Sequence, residues 1–175
     1  VVITMHDEFL MTGKCAHPGD CQNWQTQCRK CPKLREYPKS FFFDFSYKMF
    51  SEKRKSLNQS RITFVCPSRW LADRAKIAFP NKRVEVINNG IDTDGIFCPS
   101  NCEILKQELG LVDEKVVLCV APSFDNPHKG KAAIFELAKS LENERIKFIL
   151  VGTLSSNEKR KNIIQVDRIN DKVKL

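Results

Sequence analysis

Short apolar runs alternate with amphipathic segments along most of the chain. Continuous apolar runs predict buried strands, and apolar positions three or four residues apart predict helices. The predicted strands are residues 1–5, 62–66, 83–87, 115–121, 146–151 and 163–166. The predicted helices are residues 43–57, 69–79, 103–109 and 131–141. Strands that are apolar throughout and alternate with helices are typical of parallel sheets covered on both faces, so we expect an α/β fold.

Three residues mark expected ends of elements. Ser68 is a good N-cap for the helix that follows it, because its hydroxyl can accept a hydrogen bond from the first turn. Gly110 is expected to end the third predicted helix, and Gly152 the fifth predicted strand. The chain begins within a predicted strand, and residues 171–175 resemble the first turn of a helix cut short. We therefore expect the chain to be a piece of a longer protein.

An Asn89-Gly90 pair follows the third predicted strand. Such a pair usually signals a two-residue hairpin, but no matching alternating strand follows it here. We therefore interpret residues 91–100 as a crossover between two α/β units. The first unit is then residues 1–90, and the second is residues 101–175.

The charge is distributed unevenly along the chain. The 175 residues are 42% hydrophobic and 29% charged, with a formal net charge of +8. Residues 1–90 contain 16 Lys and Arg against 8 Asp and Glu, whereas residues 91–175 contain 13 of each. A basic face on one unit suggests an anionic partner, such as nucleic acid, a phosphate-bearing substrate or an acidic membrane surface. The alternative is an ordinary solvated face.

Basic residues of the first unit fall into two groups. Those after the cysteine-rich stretch are Arg29, Lys30, Lys33, Arg35 and Lys39, and those on the first predicted helix are Lys48, Lys53, Arg54 and Lys55. That helix also carries Phe45, Met49 and Phe50 on one side. A basic amphipathic helix suits an anionic membrane surface, although its apolar side can instead pack in the core. Neither a spanning apolar stretch nor a secretory signal is recognisable, so we expect a cytoplasmic location, peripheral at the inner face of the cell membrane.

An irregular segment at residues 6–39 is too long for an ordinary α/β loop, which suggests a function or a local cross-link such as a bound metal ion or a disulfide. It contains four cysteines, Cys15, Cys21, Cys28 and Cys31. The two-residue spacing of the last pair lets both sulfurs chelate one ion, and four thiolates suit tetrahedral zinc. The first pair is more widely spaced, and His17 could replace one of its ligands. Two disulfides, or free thiols that only pack, are the alternatives, and a cytosolic location disfavours the disulfides.

His6 and Asp7 directly follow the first predicted strand. In open α/β sheets, ligands bind outside the carboxyl ends of the strands. A histidine there can hydrogen-bond a substrate hydroxyl or stabilise developing charge. The alternative is a polar pair that merely ends a strand.

A second candidate site follows the strand at 115–121. The run Pro127-His128-Lys129-Gly130 lies between that strand and a predicted helix. Amide groups at a helix start, together with a lysine, form an anion site, and Gly130 permits close approach of the backbone. Lys-Gly pairs are common, so the pattern by itself is weakly specific.

The chain resembles the glycosyltransferases of family 4 over nearly its whole length. The run Asn89-Gly90-Ile91-Asp92 is similar to their crossing between two lobes. Related enzymes also carry a segment similar to Thr12-Gly13-Lys14-Cys15, Asp20-Cys21, Trp24 and Cys28 to Pro32. The resemblance implies the GT-B architecture of two Rossmann-like lobes. Residues 1–90 would be the rear of the amino-terminal acceptor lobe, with a cysteine-rich insert at 12–39, and residues 101–175 the front of the donor lobe.

The resemblance also implies an activity and site residues. Family 4 enzymes transfer a hexosyl-type sugar from a nucleotide-sugar to an acceptor hydroxyl with retention at the anomeric carbon and no catalytic metal. The similarity is to bacterial surface-polysaccharide enzymes of the colanic-acid type, which use saccharide or lipid-linked acceptors. A histidine in the amino-terminal lobe faces their sugar cleft, which points to His6, with Asp7 orienting it. The donor-binding residues implied are Lys129, Gly130, His128, Asn89 and Gly90.

The sequence departs from the family pattern at several points. The arginine that helps the lysine to hold the diphosphate is absent from residues 121–126, and His128 would replace it in part. The donor-binding pair of glutamates and the glycine-rich loop are absent too, so we expect this piece alone to be inactive. The alternatives are a non-catalytic α/β binding domain and a zinc-stapled nucleic-acid binder, and the neutral second half disfavours the latter.

Overall fold

The computed structural model describes residues 1–36, 38–99, 101–111, 113–155 and 160–169. The chain forms two compact units, Val1–Gly90 and Ile91–Leu175. The helical turn expected at 171–175 lies outside the described residues.

The first unit contains a parallel three-stranded sheet. Its elements are β1 (Val2–Thr4), α1 (Asn23–Thr26), α2 (Ser46–Gln59), β2 (Thr63–Cys66), α3 (Arg69–Ala78) and β3 (Arg83–Val86). The strand order is β1-β2-β3, so β2 is central. Ile3 lies opposite Phe64, and Phe64 lies opposite Val84. The carboxyl ends of β1 and β2 therefore lie side by side at one edge.

The core of the first unit lies around Phe64. Its ring stacks on that of Phe79 with 4.7 Å between the centroids, and the alanines of α3 pack beside them. Met11 and Trp24 belong to the same core and are almost completely buried. The irregular segment after β1 is therefore packed against the sheet and helices.

The second unit is also a parallel three-stranded sheet with helices. Its elements are α4 (Glu103–Glu108), β4 (Lys115–Ser123), a 3₁₀ turn (Pro127–Lys129), α5 (Lys131–Ser140), β5 (Ile146–Thr153) and β6 (Ile163–Val166). The strand order is β4-β5-β6. Phe148 and Leu150 of β5 pack with α5, whereas Ile149 and Val151 pack with Leu111. Alternate residues of the central strand thus enter two separate apolar clusters.

Several boundaries differ from those expected. The helix expected at 43–57 begins at Ser46, where the Asp44 carboxylate accepts the Ser46 amide at 2.9 Å. Gly152 does not end β5 but lies within it, at φ 142°. A side chain at that position would collide with the carbonyl oxygen of Ala121. This glycine therefore permits a close approach of two strands rather than a strand end.

Both expected helix caps are present. Ser68 accepts the Leu71 amide at 3.3 Å at the start of α3, and Gly110 has φ 67° just past α4. The Asn89-Gly90 pair forms no hairpin, and Asn88 donates through its side chain to the Pro67 carbonyl at 2.8 Å. A turn closed by Asp92 follows, in which its carboxylate accepts the Gly95 amide at 2.8 Å.

Candidate functional site

His6 and Asp7 lie at the carboxyl end of β1. The Met5 amide donates to the Val65 carbonyl at 2.8 Å, which continues the pairing with β2 to the residue before His6. The His6 side chain is exposed, and the Asp7 carboxylate accepts the Phe9 amide at 2.8 Å. The pair is therefore at the expected edge of the sheet. One carboxylate oxygen of Asp7 is occupied by the hydrogen bond that closes the turn to Phe9.

A pocket of about 520 Å³ opens beside Asp7. Its walls combine apolar and basic side chains and include Asp7, Phe9, Lys14, Lys39, Phe45 and Met49. His6 is not among the lining residues. The pocket thus offers the Asp7 carboxylate and the Lys39 ammonium beside an apolar wall, which suits a ligand with a polar head and an apolar part.

A buried ion pair that sequence reasoning missed lies next to this edge. Glu8 is 3% exposed, and its carboxylate accepts a hydrogen bond from the Arg74 guanidinium of α3. That guanidinium also lies over the rings of Trp24 and Trp70, at 4.5 and 5.1 Å from their centroids. The pair joins the segment after β1 to α3, and no periodic pattern in the sequence signals it.

The basic residue Lys14 holds part of the irregular segment in place. The ammonium of the buried Lys14 donates to the carbonyls of Lys33, Leu34 and Glu36 at 2.9, 2.8 and 3.2 Å. These bonds fix the part of the segment that follows the last cysteine.

Two basic residues of α2 were expected on a solvent-facing or lipid-facing side, and that expectation is wrong. Lys53 donates to the Phe9 carbonyl at 2.6 Å, and Arg54 donates to the Trp24 carbonyl at 3.1 Å. Both side chains are partly buried, and burial lowers the pKa of Lys53. The periodicity of a helix shows which residues share a side, but it does not show which part of the chain packs against that side. Here the irregular segment packs against the side of α2 that carries Lys53 and Arg54.

The four cysteines of the irregular segment line one small cavity of about 10 Å³. Cys28 is buried and the other three are partly exposed, and all eight cysteines of the chain are free thiols. Burial raises the pKa of the Cys28 thiol to about 11, so that thiol is protonated at neutral pH. His17 is exposed and does not line the cavity. Within the described ranges, no three His, Cys, Asp or Glu side chains are already arranged to hold a metal ion.

Consecutive phenylalanines are exposed beside the pocket. Phe41, Phe42 and Phe43 are 78%, 90% and 69% exposed, and the pocket residues Lys39 and Phe45 flank them in sequence. Large apolar side chains in a contiguous exposed run are a feature of interaction surfaces. No helix within the described part of the chain has the length and apolar character to cross a membrane.

In the second unit, Lys129 and His128 lie in the 3₁₀ turn between β4 and α5. The Asn126 side chain accepts the His128 amide at 3.0 Å, and Gly130 has φ 71°, which glycine adopts without strain. The N-cap residue of α5 is Gly130, which has no side chain to accept the amides of the first turn. Lys129 and Gly130 are exposed, so the turn presents a cation next to a helix amino terminus.

The loop before this turn is fixed to the end of β5 by Asp125. Its carboxylate accepts the amide of Ser155 at 3.0 Å and its hydroxyl at 2.6 Å, and the Lys131 ammonium is 3.9 Å away. The hydrogen bond from the Ser155 hydroxyl is the main reason that the pKa of Asp125 is lowered. Sequence reasoning missed both Asp125 and Lys131.

The remaining donor-site candidates, Asn89 and Gly90, are exposed at the end of the first unit. A Cβ at Gly90 would have no neighbour within 4 Å in the described structure. The structure thus brings together Lys129, His128 and Gly130 in one turn, and the four cysteines around one cavity.

No known family model matches the chain. Over 95 residues it is 35% identical to a protein of Escherichia coli (strain K12) named "Putative colanic acid biosynthesis glycosyl transferase WcaC". The match covers 53% of this chain and 23% of that protein, so the chain spans well under half of the relative's length. The match supports a relationship between this chain and a glycosyltransferase.

Proposed function

We propose that this chain is part of a glycosyltransferase of the family 4 type with GT-B architecture. The protein would transfer a hexosyl-type sugar from a nucleotide-sugar to an acceptor hydroxyl, with retention, in the assembly of a bacterial surface polysaccharide. The observation that carries the proposal is the 35% identity over 95 residues to a relative named as a putative glycosyl transferase of colanic acid biosynthesis. Two Rossmann-like parallel sheets with flanking helices agree with it.

The first unit would supply the acceptor side. His6 at the carboxyl end of β1 is exposed and so is accessible to a substrate hydroxyl. The pocket beside Asp7, with Lys39 and an apolar wall, would take the polar head and apolar part of a saccharide or lipid-linked acceptor. His6 does not line this pocket, and it would act on an acceptor group that extends past Asp7 to the edge of the sheet, while Asp7 fixes the turn that follows it.

The second unit would bind the donor diphosphate. Lys129 and the uncapped start of α5 supply a cation and backbone amides on one short turn. The negative charge of Asp125 would repel a phosphate. Its carboxylate, however, accepts a hydrogen bond from the Ser155 hydroxyl and lies 3.9 Å from the Lys131 ammonium, which offsets that charge. His128 and Lys131 would supply in part what the missing arginine supplies in family 4 enzymes, and the resemblance to that family implies that no divalent metal is needed.

The exposed phenylalanines would place the protein at the inner face of the cell membrane. Phe41 to Phe43 would enter the interfacial layer, while Lys39 and Lys48 would meet anionic headgroups. A lipid-linked acceptor would then reach the neighbouring pocket from the membrane. The partly buried Lys53 and Arg54 take no part in this contact.

The direct test uses the full-length protein that contains this chain. Thermal-shift measurements against UDP- and GDP-linked sugars identify the donor, and transfer of labelled sugar to a membrane extract of the source cell measures the activity. A stabilising donor and labelled product support the proposal. Donor binding without hydrolysis or transfer would instead indicate a non-catalytic binding domain, and stabilisation by oligonucleotides alone would indicate a nucleic-acid binder.

A further inference from the structure

The four cysteines of the irregular segment meet at one place although they are spread over 17 residues of sequence. Cys15 and Cys21 lie between β1 and α1, and Cys28 and Cys31 lie in the turn that follows α1. They line a cavity of about 10 Å³, which is the space of roughly one water-sized sphere. The fold thus brings four thiols, the ligand set of one class of structural zinc site, to the wall of a single space.

The backbone around the cavity is shaped to bring the sulfurs together. Lys30 has φ 52°, which is uncommon for a residue with a side chain, and it turns the chain between Cys28 and Cys31. The Gly13 amide donates to the Cys28 sulfur at 3.1 Å, and amide donors of this kind stabilise a coordinated thiolate. A Cβ at Gly13 would lie 2.9 Å from the Cys28 Cβ, so glycine is needed for this approach.

Hydrogen bonds to Asp44 and Ser46 hold the turn that contains Cys28 and Cys31 in place. The Cys31 amide donates to the Asp44 carboxylate at 2.8 Å, and the Ser46 hydroxyl donates to the Cys28 carbonyl at 2.9 Å. Both contacts connect the turn to the start of α2. The backbone positions of Cys28 and Cys31 are therefore fixed by the fold.

We propose that Cys15, Cys21, Cys28 and Cys31 bind one structural Zn²⁺ ion as thiolates. Four thiolates around one Zn²⁺ carry a net charge of −2, and Lys14 and Lys33, which also line the cavity, would offset it. The four thiol protons are released to solvent on binding. Among the described residues the four side chains do not form a coordination shell, so binding would require them to turn inward around the ion. This proposal does not depend on the proposed function.

Metal analysis of the intact protein tests the site. We expect one zinc per chain after purification without chelators, or after addition of zinc to reduced protein and removal of the excess. Replacement by Co²⁺ should give the intense visible absorption of a tetrahedral thiolate complex. Protein that retains less than about 0.2 zinc per chain after zinc addition, with no cobalt spectrum, would overturn the proposal.

Substitutions then show which thiols bind. Cys31→Ser should lose the stoichiometric zinc, and Cys31→His, which keeps a zinc ligand, should retain it. Cys98→Ser is the matched control, because Cys98 is an exposed cysteine of the second unit, and it should retain the zinc. In the native protein, removal of zinc by a chelator should increase the number of thiols that react with a disulfide reagent by four. Zinc retained by Cys31→Ser, or an unchanged thiol count, would contradict the assignment.

Discussion

The carboxylate of Glu8 accepts a hydrogen bond from the guanidinium of Arg74, 66 positions later in the chain. The two groups are poorly accessible to water, since the Glu8 side chain is 4% exposed and that of Arg74 is 19% exposed. The pair lies between the edge of the sheet that carries His6 and the helix α3. It therefore fixes the start of the irregular segment to the core.

Loss of Arg74 should strongly destabilise the first unit. Arg74→Ala leaves a buried carboxylate without its partner and removes a cation from between two tryptophans, which should cost about 3–5 kcal/mol in the free energy of unfolding. Urea unfolding followed by tryptophan fluorescence measures it. The control is Arg83→Ala, since Arg83 forms an exposed ion pair with Glu85, and it should cost less than about 1 kcal/mol. Equal effects of the two substitutions would contradict the buried role of Arg74.

Lys129 should matter for donor use. In the full-length protein we expect Lys129→Ala to lower kcat/KM for the nucleotide-sugar by about 10- to 1,000-fold, because charge-assisted contacts to phosphate are strong. Initial-rate measurements at varied donor concentration give this value. Lys139→Ala, at the last turn of α5, removes the same charge away from the turn and should leave kcat/KM unchanged. An unchanged kcat/KM in Lys129→Ala would remove Lys129 from the donor site.

Asp125 should stabilise the second unit in a pH-dependent manner. Because the pKa of Asp125 is lowered in the folded state, its ionised form adds stability above the unfolded-state pKa of about 3.9, and this is lost as the pH falls through the folded-state value. The difference in Tm between the native chain and Asp125→Asn should therefore be larger at pH 7 than at pH 3. Asp73→Asn, which alters an exposed pair with Lys76, controls for general charge effects. A difference that does not change between the two pH values would show that Asp125 contributes no such stability.

The exposed phenylalanines should control attachment to membranes. The triple substitution of Phe41, Phe42 and Phe43 by serine should weaken binding to vesicles with anionic lipid by at least about tenfold, since each buried phenylalanine contributes roughly 1.5–3 kcal/mol. Sedimentation with vesicles at several salt concentrations measures it, and higher salt should release the native protein. Ile104→Ser changes a 75%-exposed residue of the second unit and should have no effect. Binding of the triple variant equal to that of the native protein would leave the phenylalanines without this role.

The strands could be predicted because each is a local apolar run. All six expected strands are present, with ends that differ by at most two residues, and both sheets are parallel as expected. The helix α2 begins three residues later than predicted, because Asp44 forms a turn with the Ser46 amide that apolar periodicity does not reveal. Boundaries of this kind depend on single hydrogen bonds.

The candidate site could be predicted only in part. His6, Asp7, Lys129 and the cysteines were recognisable because they lie next to strands or at short spacings. Glu8 and Lys14 were not, because a single charged residue in a polar stretch looks solvated. Their burial results from partners 19 to 66 positions away, and no local pattern carries that information.

The anchors of the irregular segment also set the order in which the first unit can form. Lys53 donates a hydrogen bond to the carbonyl of Phe9, 44 positions earlier in the chain, and Arg74 donates one to the carboxylate of Glu8, 66 positions earlier. Contacts that close such long loops form late in folding, because the entropy of loop closure must be overcome first. During synthesis, a nascent chain that ends before Arg74 therefore presents its cysteine-rich segment without these supports. We expect this segment to acquire protection from hydrogen exchange only after α2 and α3 have packed on the sheet.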